Sequence, residues 1–160
     1  MRLGDGDQLY IFRIPAASYR GIIDPFFDFF ESFSYGHGFF AGCDFSENTL
    51  RYLLTKNAET QDVSIIEGVM GYYDGMGLTT TRASSYEVAK VTMSPVILVV
   101  NAKGASLSIL ASIQGFLSFY PDNNIKGVIL NQCSPMTYGA LAKAIEDRFG
   151  VRAFGYLPKM

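Results

Sequence analysis

Two carboxylates stand in the run Ile65-Ile66-Glu67-Gly68-Val69-Met70-Gly71-Tyr72-Tyr73-Asp74-Gly75, one closing an apolar stretch and one inside a glycine-punctuated loop. A strand that ends on an acid and then breaks into glycines can present a ligand at the carboxyl edge of an open α/β sheet. The glycines let backbone approach a bound group and take up φ > 0 without a Cβ clash. At a strand terminus Glu67 is placed to hold Mg²⁺, which prefers a few carboxylates combined with substrate phosphates. Asp74, in Tyr-Asp-Gly, reads first as a turn residue, with a ligand role as the alternative.

Asn101 and Asn131 each close an apolar run. A side-chain amide both donates and accepts, which matches the edge of an adenine. The same residue at a strand end also bonds its own backbone in a turn, and spacing does not separate the two readings. His37, the sole histidine, lies in Gly36-His37-Gly38. With no cysteine or serine partner identifiable, it reads as a surface-loop residue rather than half of a catalytic dyad. The lysines are Lys56, Lys90, Lys103, Lys126, Lys143 and Lys159, and none follows glycine and precedes Ser or Thr. The GK[ST] signature of a phosphate-cradling P-loop is therefore missing. Gly4-Asp5-Gly6-Asp7 is no substitute, because its acids would repel a triphosphate.

These residues need elements to carry them. Leu9–Ile14 reads as a short strand ended by Pro15, and it is expected to join the sheet. Pro25 to Phe33 reads as a helix, with Phe26, Phe29, Phe30 and Phe33 on one face as core. Ser46 can cap a helix running to about Ala58, with Leu50, Leu53 and Leu54 inward. Val63–Ile66 is a short buried strand. Ser84 to Glu87 fits a capping box in which hydroxyl and carboxylate satisfy each other's amides, opening a helix to Met93. Pro95–Val100 is a β-branched run of the kind buried on both faces. Residues 105–119 form a helix, Gly127–Asn131 a strand, Thr137–Phe149 a helix stopped by Gly150, and Val151–Leu157 a last strand. Short strands alternating with longer helices imply an α/β fold: a mostly parallel sheet with helices on both faces.

At 160 residues the chain is expected to be one domain, 1–160, with an aromatic, glycine-rich stretch over 1–45 and regular alternation over 46–160. Apolar residues make up 49%, so the chain can bury a core. With 13 basic and 15 acidic residues and no Lys/Arg cluster, electrostatics offer nothing to a nucleic acid. Cys43 and Cys133 form no CxxC pair, which suggests a reducing, cytoplasmic setting and two small buried hydrophobes. No apolar run reaches the roughly 18–20 residues of a membrane span, and no basic region followed by an apolar core marks a signal peptide.

From about Asp62 to Pro158 the chain resembles the synthetase domain of cobyrinic acid a,c-diamide synthase, in the cobyrinate/cobyric acid synthase and dethiobiotin synthetase superfamily. Ile66 to Gly75 is similar to the family's EGVMGLYDG, with Tyr72 in place of the usual leucine. Ser84-Ser85 with Glu87-Val88-Ala89-Lys90, Pro95–Val100, Gly127–Asn131 and Gly155-Tyr156-Leu157-Pro158 resemble further family segments in the same order. Ile23-Asp24-Pro25 corresponds loosely to an upstream segment. The family's P-loop has no counterpart here, nor does its glutamine amidotransferase domain.

The resemblance implies a three-layer, P-loop-NTPase-like architecture whose N-terminal part is truncated or diverged. It implies ATP and Mg²⁺ as cofactors, a corrin as substrate, and a glutamine amidotransferase domain or subunit as partner, and it leaves a homodimer open. The activity implied is ATP-dependent amidation of corrin carboxylates through an acyl phosphate. Position by position, Glu67 would be the metal ligand, Gly68 and Gly71 would shape the loop near the phosphates, and Tyr73 and Asp74 would face the substrate. Asn131, Leu157 and Pro158 would contact adenine. The alternative is a non-catalytic, degenerate nucleotide-fold module, since the missing P-loop removes the main contacts to the terminal phosphates. Dethiobiotin synthetase is disfavoured by its shorter loop, which lacks the Tyr-Asp-Gly extension.

Overall fold

The computed structural model describes residues 10–12, 14–15, 46–58, 63–64, 66, 68 and 71–159. The expected helix Pro25–Phe33, together with Glu67, His37 and Cys43, lies outside them. The strand expected over Leu9–Ile14 is two pieces, β1 (Tyr10–Phe12) and β2 (Ile14–Pro15). Then follow α1 (Glu47–Ala58), β3 (Val63–Ser64), α2 (Ser85–Thr92), β4 (Val96–Asn101), α3 (Ser108–Phe119), β5 (Ile125–Asn131), α4 (Pro135–Phe149) and β6 (Arg152–Leu157).

Local chemistry explains the helix boundaries. Ser46 Oγ accepts the Thr49 amide at 3.3 Å and opens α1, which buries Leu53 and Leu54. Ser84 Oγ accepts the Glu87 amide at 3.2 Å and opens α2. The Glu87 carboxylate takes its hydrogen bond from the amide of Ala83, one residue ahead of the cap, because the Ser84 amide is already donated to Thr81 O at 3.0 Å. Met93 closes α2 in the left-handed region, with φ 53°. Ser134 caps α4, Pro135 occupies its first turn, and Gly150 ends it at φ 65°.

The main sheet has the order β1-β4-β5-β6. Strands β4, β5 and β6 are parallel, with Leu98 beside Val128 and Val128 beside Ala153. β1 flanks β4 in the antiparallel sense, with Tyr10 opposite Leu98. Within the strand expected over Val63–Ile66, Val63–Ser64 pairs with β2 in a separate two-stranded ladder. The two parallel connections run in one direction across the sheet, so right-handed crossovers set α3 and α4 on the same face. There Ile109, Leu110 and Ile113 of α3 and Leu141 and Ile145 of α4 pack with Leu98, Val100, Val128 and Leu130. Each fully buried aliphatic side chain of this kind contributes about 1.5–3 kcal/mol. β4 is covered on both faces, since Val99, pointing away from that cluster, is 1% exposed. Among the described residues no helix is long and apolar enough to cross a membrane.

Candidate functional site

The carboxyl edge of the parallel strands brings three of the expected residues into line. Asn101, Asn131 and Leu157 share one register row across β4, β5 and β6, and Pro158 follows directly. The two asparagines, indistinguishable by spacing, separate here. Asn101 is exposed, and its Oδ1 accepts the Lys103 amide at 2.9 Å, a turn asparagine bonding its own backbone. Asn131 is 6% exposed, and among the described residues its side-chain amide has no hydrogen-bond partner. A buried amide left unpaired costs about 1–3 kcal/mol, and Asn131 keeps both donor and acceptor capacity to spare among the described residues.

The backbone around Asn131 is held firmly. Its carbonyl accepts the Ala102 amide at 2.7 Å, and the Cys133 amide is donated to Leu157 O at 3.0 Å. Between them Gln132 takes φ 56°, an uncommon conformation for a non-glycine residue. Leu157 is 42% exposed, so an apolar side chain and a proline border the buried amide. A donor–acceptor amide beside an apolar surface suits a flat heterocycle such as adenine. Cys133 is a buried free thiol in the core, in keeping with its reading as a small hydrophobe.

The loop of Gly71 to Gly75 forms a second group. The Asp74 amide is donated to Gly71 O at 2.9 Å, closing a tight turn. A Cβ on Gly71 would fall on Asp74 Oδ2 and 2.9 Å from its Cγ, so glycine leaves room for the folded-back carboxylate. A Cβ on Gly75 would lie 2.6 Å from Thr80 O, so the returning loop also needs a glycine there. Asp74 is exposed. The two tyrosines ahead of it point inward. Tyr72 is fully buried and donates its hydroxyl to Asn123 O. Tyr73 donates its hydroxyl to Phe116 O at 2.6 Å and packs against Phe116, Phe119, Tyr120 and Tyr86 at centroid distances of 5.0–6.0 Å. Burial first, then Tyr86 and Asp122 nearby, push the Tyr73 phenol well above the ordinary tyrosine range, so at neutral pH it is a hydrogen-bond donor.

Beside this cluster Asp122 accepts from Tyr86 at 2.6 Å and pairs with Lys90 at 2.7 Å. The Lys90 and Tyr86 contacts hold the Asp122 carboxyl below its usual value, and Asp122 in turn raises Lys90. Burial and then the Asp122 hydrogen bond raise the Tyr86 phenol.

The structure therefore gathers Asn131, Leu157 and Pro158 at the carboxyl edge. Gly71, Tyr73 and Asp74 gather around the C-terminal half of α3, the half that leads back to the amino ends of the strands. Gly68 is half-buried, and Glu67 lies outside the described residues. Among the described residues no three His, Cys, Asp or Glu side chains converge on a point. Sequence reading missed the receiving surface for the two tyrosines. Its signal was present: Phe116, Phe119 and Tyr120 recur at i, i+3 and i+4, an aromatic group at the end of α3.

Comparison with known proteins gives one consistent result. The cobyrinate a,c-diamide synthase of Caldanaerobacter subterraneus subsp. tengcongensis is 47% identical over 114 residues, 71% of this chain and 25% of that protein. That of Listeria innocua serovar 6a is 44% identical over 114 residues, again 71% and 25%. That of Clostridium acetobutylicum is 45% identical over 100 residues, 61% of this chain and 23% of that protein. The chain spans about a quarter of the length of these curated relatives. No family model matches it, and no solved structure does.

Proposed function

Because the chain is homologous over 71% of its length to a segment of cobyrinate a,c-diamide synthase, we propose that it supplies the nucleotide side of an ATP-dependent amide ligase acting on a corrin. The observation that carries this reading is the buried amide of Asn131 at the carboxyl edge, without a hydrogen-bond partner among the described residues and next to Leu157 and Pro158. Asn131 would pair with the edge of adenine, and Leu157 and Pro158 would cover its face.

In this reading a corrin carboxylate oxygen attacks the γ-phosphorus of ATP, and ADP leaves. Ammonia then attacks the carbonyl carbon of the acyl phosphate, phosphate departs, and the nitrogen loses a proton to give the amide. Activation is needed because a carboxylate is a poor electrophile. The ammonia would come from glutamine, hydrolysed by an amidotransferase domain or subunit. Mg²⁺, which Glu67 would hold, would offset phosphate charge. Gly68 and Gly71 would shape the loop, and Asp74 would face the corrin; because this turn lies toward the amino ends of the strands and Asn131 at their carboxyl ends, Asp74 would grip the ring away from the carboxylate that is phosphorylated. A cytoplasmic location and a homodimeric assembly accord with this role.

A second reading rests on the absence of any GK[ST] lysine in the 160 residues. A nucleotide-fold module of this kind would keep the adenine contact without a grip on the terminal phosphates. Calorimetric titration of the chain with Mg-ATP and Mg-GTP tests both. Saturable binding of ATP in preference to GTP is expected, weakened about tenfold by Asn131→Ala through loss of the adenine hydrogen bonds. Equal affinity for ADP and ATP would favour the second reading. No preference between ATP and GTP, or an unaltered affinity in Asn131→Ala, would refute adenine recognition at this edge.

A further inference from the structure

The turn that carries Asp74 is built as a mount, anchored by side chains other than that of Asp74. The phenols of Tyr72 and Tyr73 reach to opposite ends of one short stretch, Asn123 O in the loop before β5 and Phe116 O in α3. Both rings are packed among aromatics, Tyr72 against Tyr73 at 4.8 Å and Tyr73 against Phe119 at 5.0 Å. The Tyr72 carbonyl accepts the Tyr86 amide at 2.9 Å, tying the turn to the start of α2. On the other side of the turn Asp74 is exposed, its amide is donated to Gly71 O at 2.9 Å, and its carboxylate occupies the space a Gly71 side chain would fill.

We infer that Gly71 and Tyr73 are positioning residues for Asp74. Tyr73 pins the turn to α3 through its hydroxyl and ring. Gly71 provides the gap in which the carboxylate is seated. Tyr73 therefore acts through Asp74 and makes no contact of its own with the corrin. Held this way, the backbone that carries the carboxylate is fixed before any substrate arrives, which removes part of the ordering cost from binding. The inference rests on the reading that Asp74 faces the corrin, and the two are tested by different measurements.

The mount is tested by hydrogen exchange of the Asp74 amide in the 160-residue chain, because that amide closes the turn. Tyr73→Phe removes one neutral hydrogen bond, so exchange at Asp74 should quicken about fivefold while Val128 and Leu130 of β5 keep their rates. Tyr120→Phe, the same chemical change on a neighbouring ring, should leave Asp74 as it is. Unchanged exchange at Asp74 in Tyr73→Phe would overturn the anchoring role.

The action through Asp74 is tested by binding of cobyrinate, followed in its visible absorbance. Asp74→Asn should shift the affinity about tenfold, as for a lost charged hydrogen bond. Gly71→Ala should reproduce that shift, and the double variant should add nothing to it. Additive effects of Gly71→Ala and Asp74→Asn would refute positioning by Gly71. A loss of cobyrinate binding in Tyr73→Phe without faster Asp74 exchange would mean that Tyr73 touches the ligand directly, against the inference. An Asp74→Asn chain that binds cobyrinate as before would sink the substrate-facing reading of Asp74, while the exchange data still decide whether Tyr73 anchors the turn. Should Tyr73→Phe not fold, Phe119→Leu, which removes the ring packed on Tyr73 at 5.0 Å, carries the exchange test, and unchanged exchange at Asp74 would overturn the anchoring.

Discussion

Replacing Asn131 by leucine should raise the stability of the chain and at the same time abolish its preference for adenine nucleotides. Leucine has the same branched heavy-atom skeleton as asparagine but no polar atom. Asn131 is 6% exposed, with no hydrogen-bond partner for its amide among the described residues. Removing a buried, unpaired amide returns about 1–3 kcal/mol. The bulkier tetrahedral end of leucine costs up to about 1.5 kcal/mol in repacking. The balance is about 1 kcal/mol in favour of the variant, or a melting temperature higher by about 2–4 °C for a chain of this size. Urea unfolding should show a higher midpoint at unchanged slope, which separates a stability change from a change in the compactness of either state. Titration with Mg-ATP and Mg-GTP on the same samples should show the preference gone. A variant less stable than the parent by more than about 1 kcal/mol would mean that the amide is satisfied in the folded chain, and the argument that it awaits a ligand would fail.

Further outcomes follow from other parts of the structure. The Tyr73 and Tyr86 phenols are both raised, chiefly by burial. The folded chain thus favours their protonated forms, and the stability linked to them is intact below the unfolded phenol value of about 10 and is lost as pH rises beyond it. The urea midpoint should fall above about pH 10, and less steeply in Tyr73→Phe; equal slopes would count against the burial of that phenol. Met93 closes α2 at φ 53° with its side chain 76% exposed, so Met93→Gly should stabilise by about 0.5–1 kcal/mol in thermal melts. Ser84→Ala should cost about 1 kcal/mol by uncapping α2, with a matching loss of amide protection at Glu87. Gly127→Ala would set a Cβ 2.6 Å from both Arg152 O and Phe154 Cδ2 and should cost about 1–3 kcal/mol. Adding Phe154→Ala should recover only part of that loss, because the Arg152 carbonyl remains.

The local elements were legible because each depends on a few neighbouring residues. The β-branched run at Val96–Val100 could only be a strand covered on both faces, and Val99 at 1% exposure is the outcome. Ser84 and Gly150 stand where a capping side chain or a permissive backbone bounds a helix, while the Ser134 cap starts the helix two residues before the expected Thr137. The parallel order of β4, β5 and β6 followed from strands alternating with helices. Motif order along 62–158 pointed to the same relatives that comparison returned. What the sequence could not decide depends on partners far away in the chain. Nothing local says that β1 runs antiparallel beside β4, or that β3 pairs with β2 outside the main sheet. Asn101 and Asn131 are the same residue type at the same strand position. Only the tertiary structure leaves one exposed and bonded to its own turn and the other buried, its amide unpaired among the described residues. Tyr73, next to an exposed acid, reads as a substrate-facing group until α3 is folded beneath it and Phe116 O takes its hydroxyl. Burial and hydrogen-bond pairing are properties of contacts between segments, so composition and spacing can propose a site but cannot say which of its side chains are already committed.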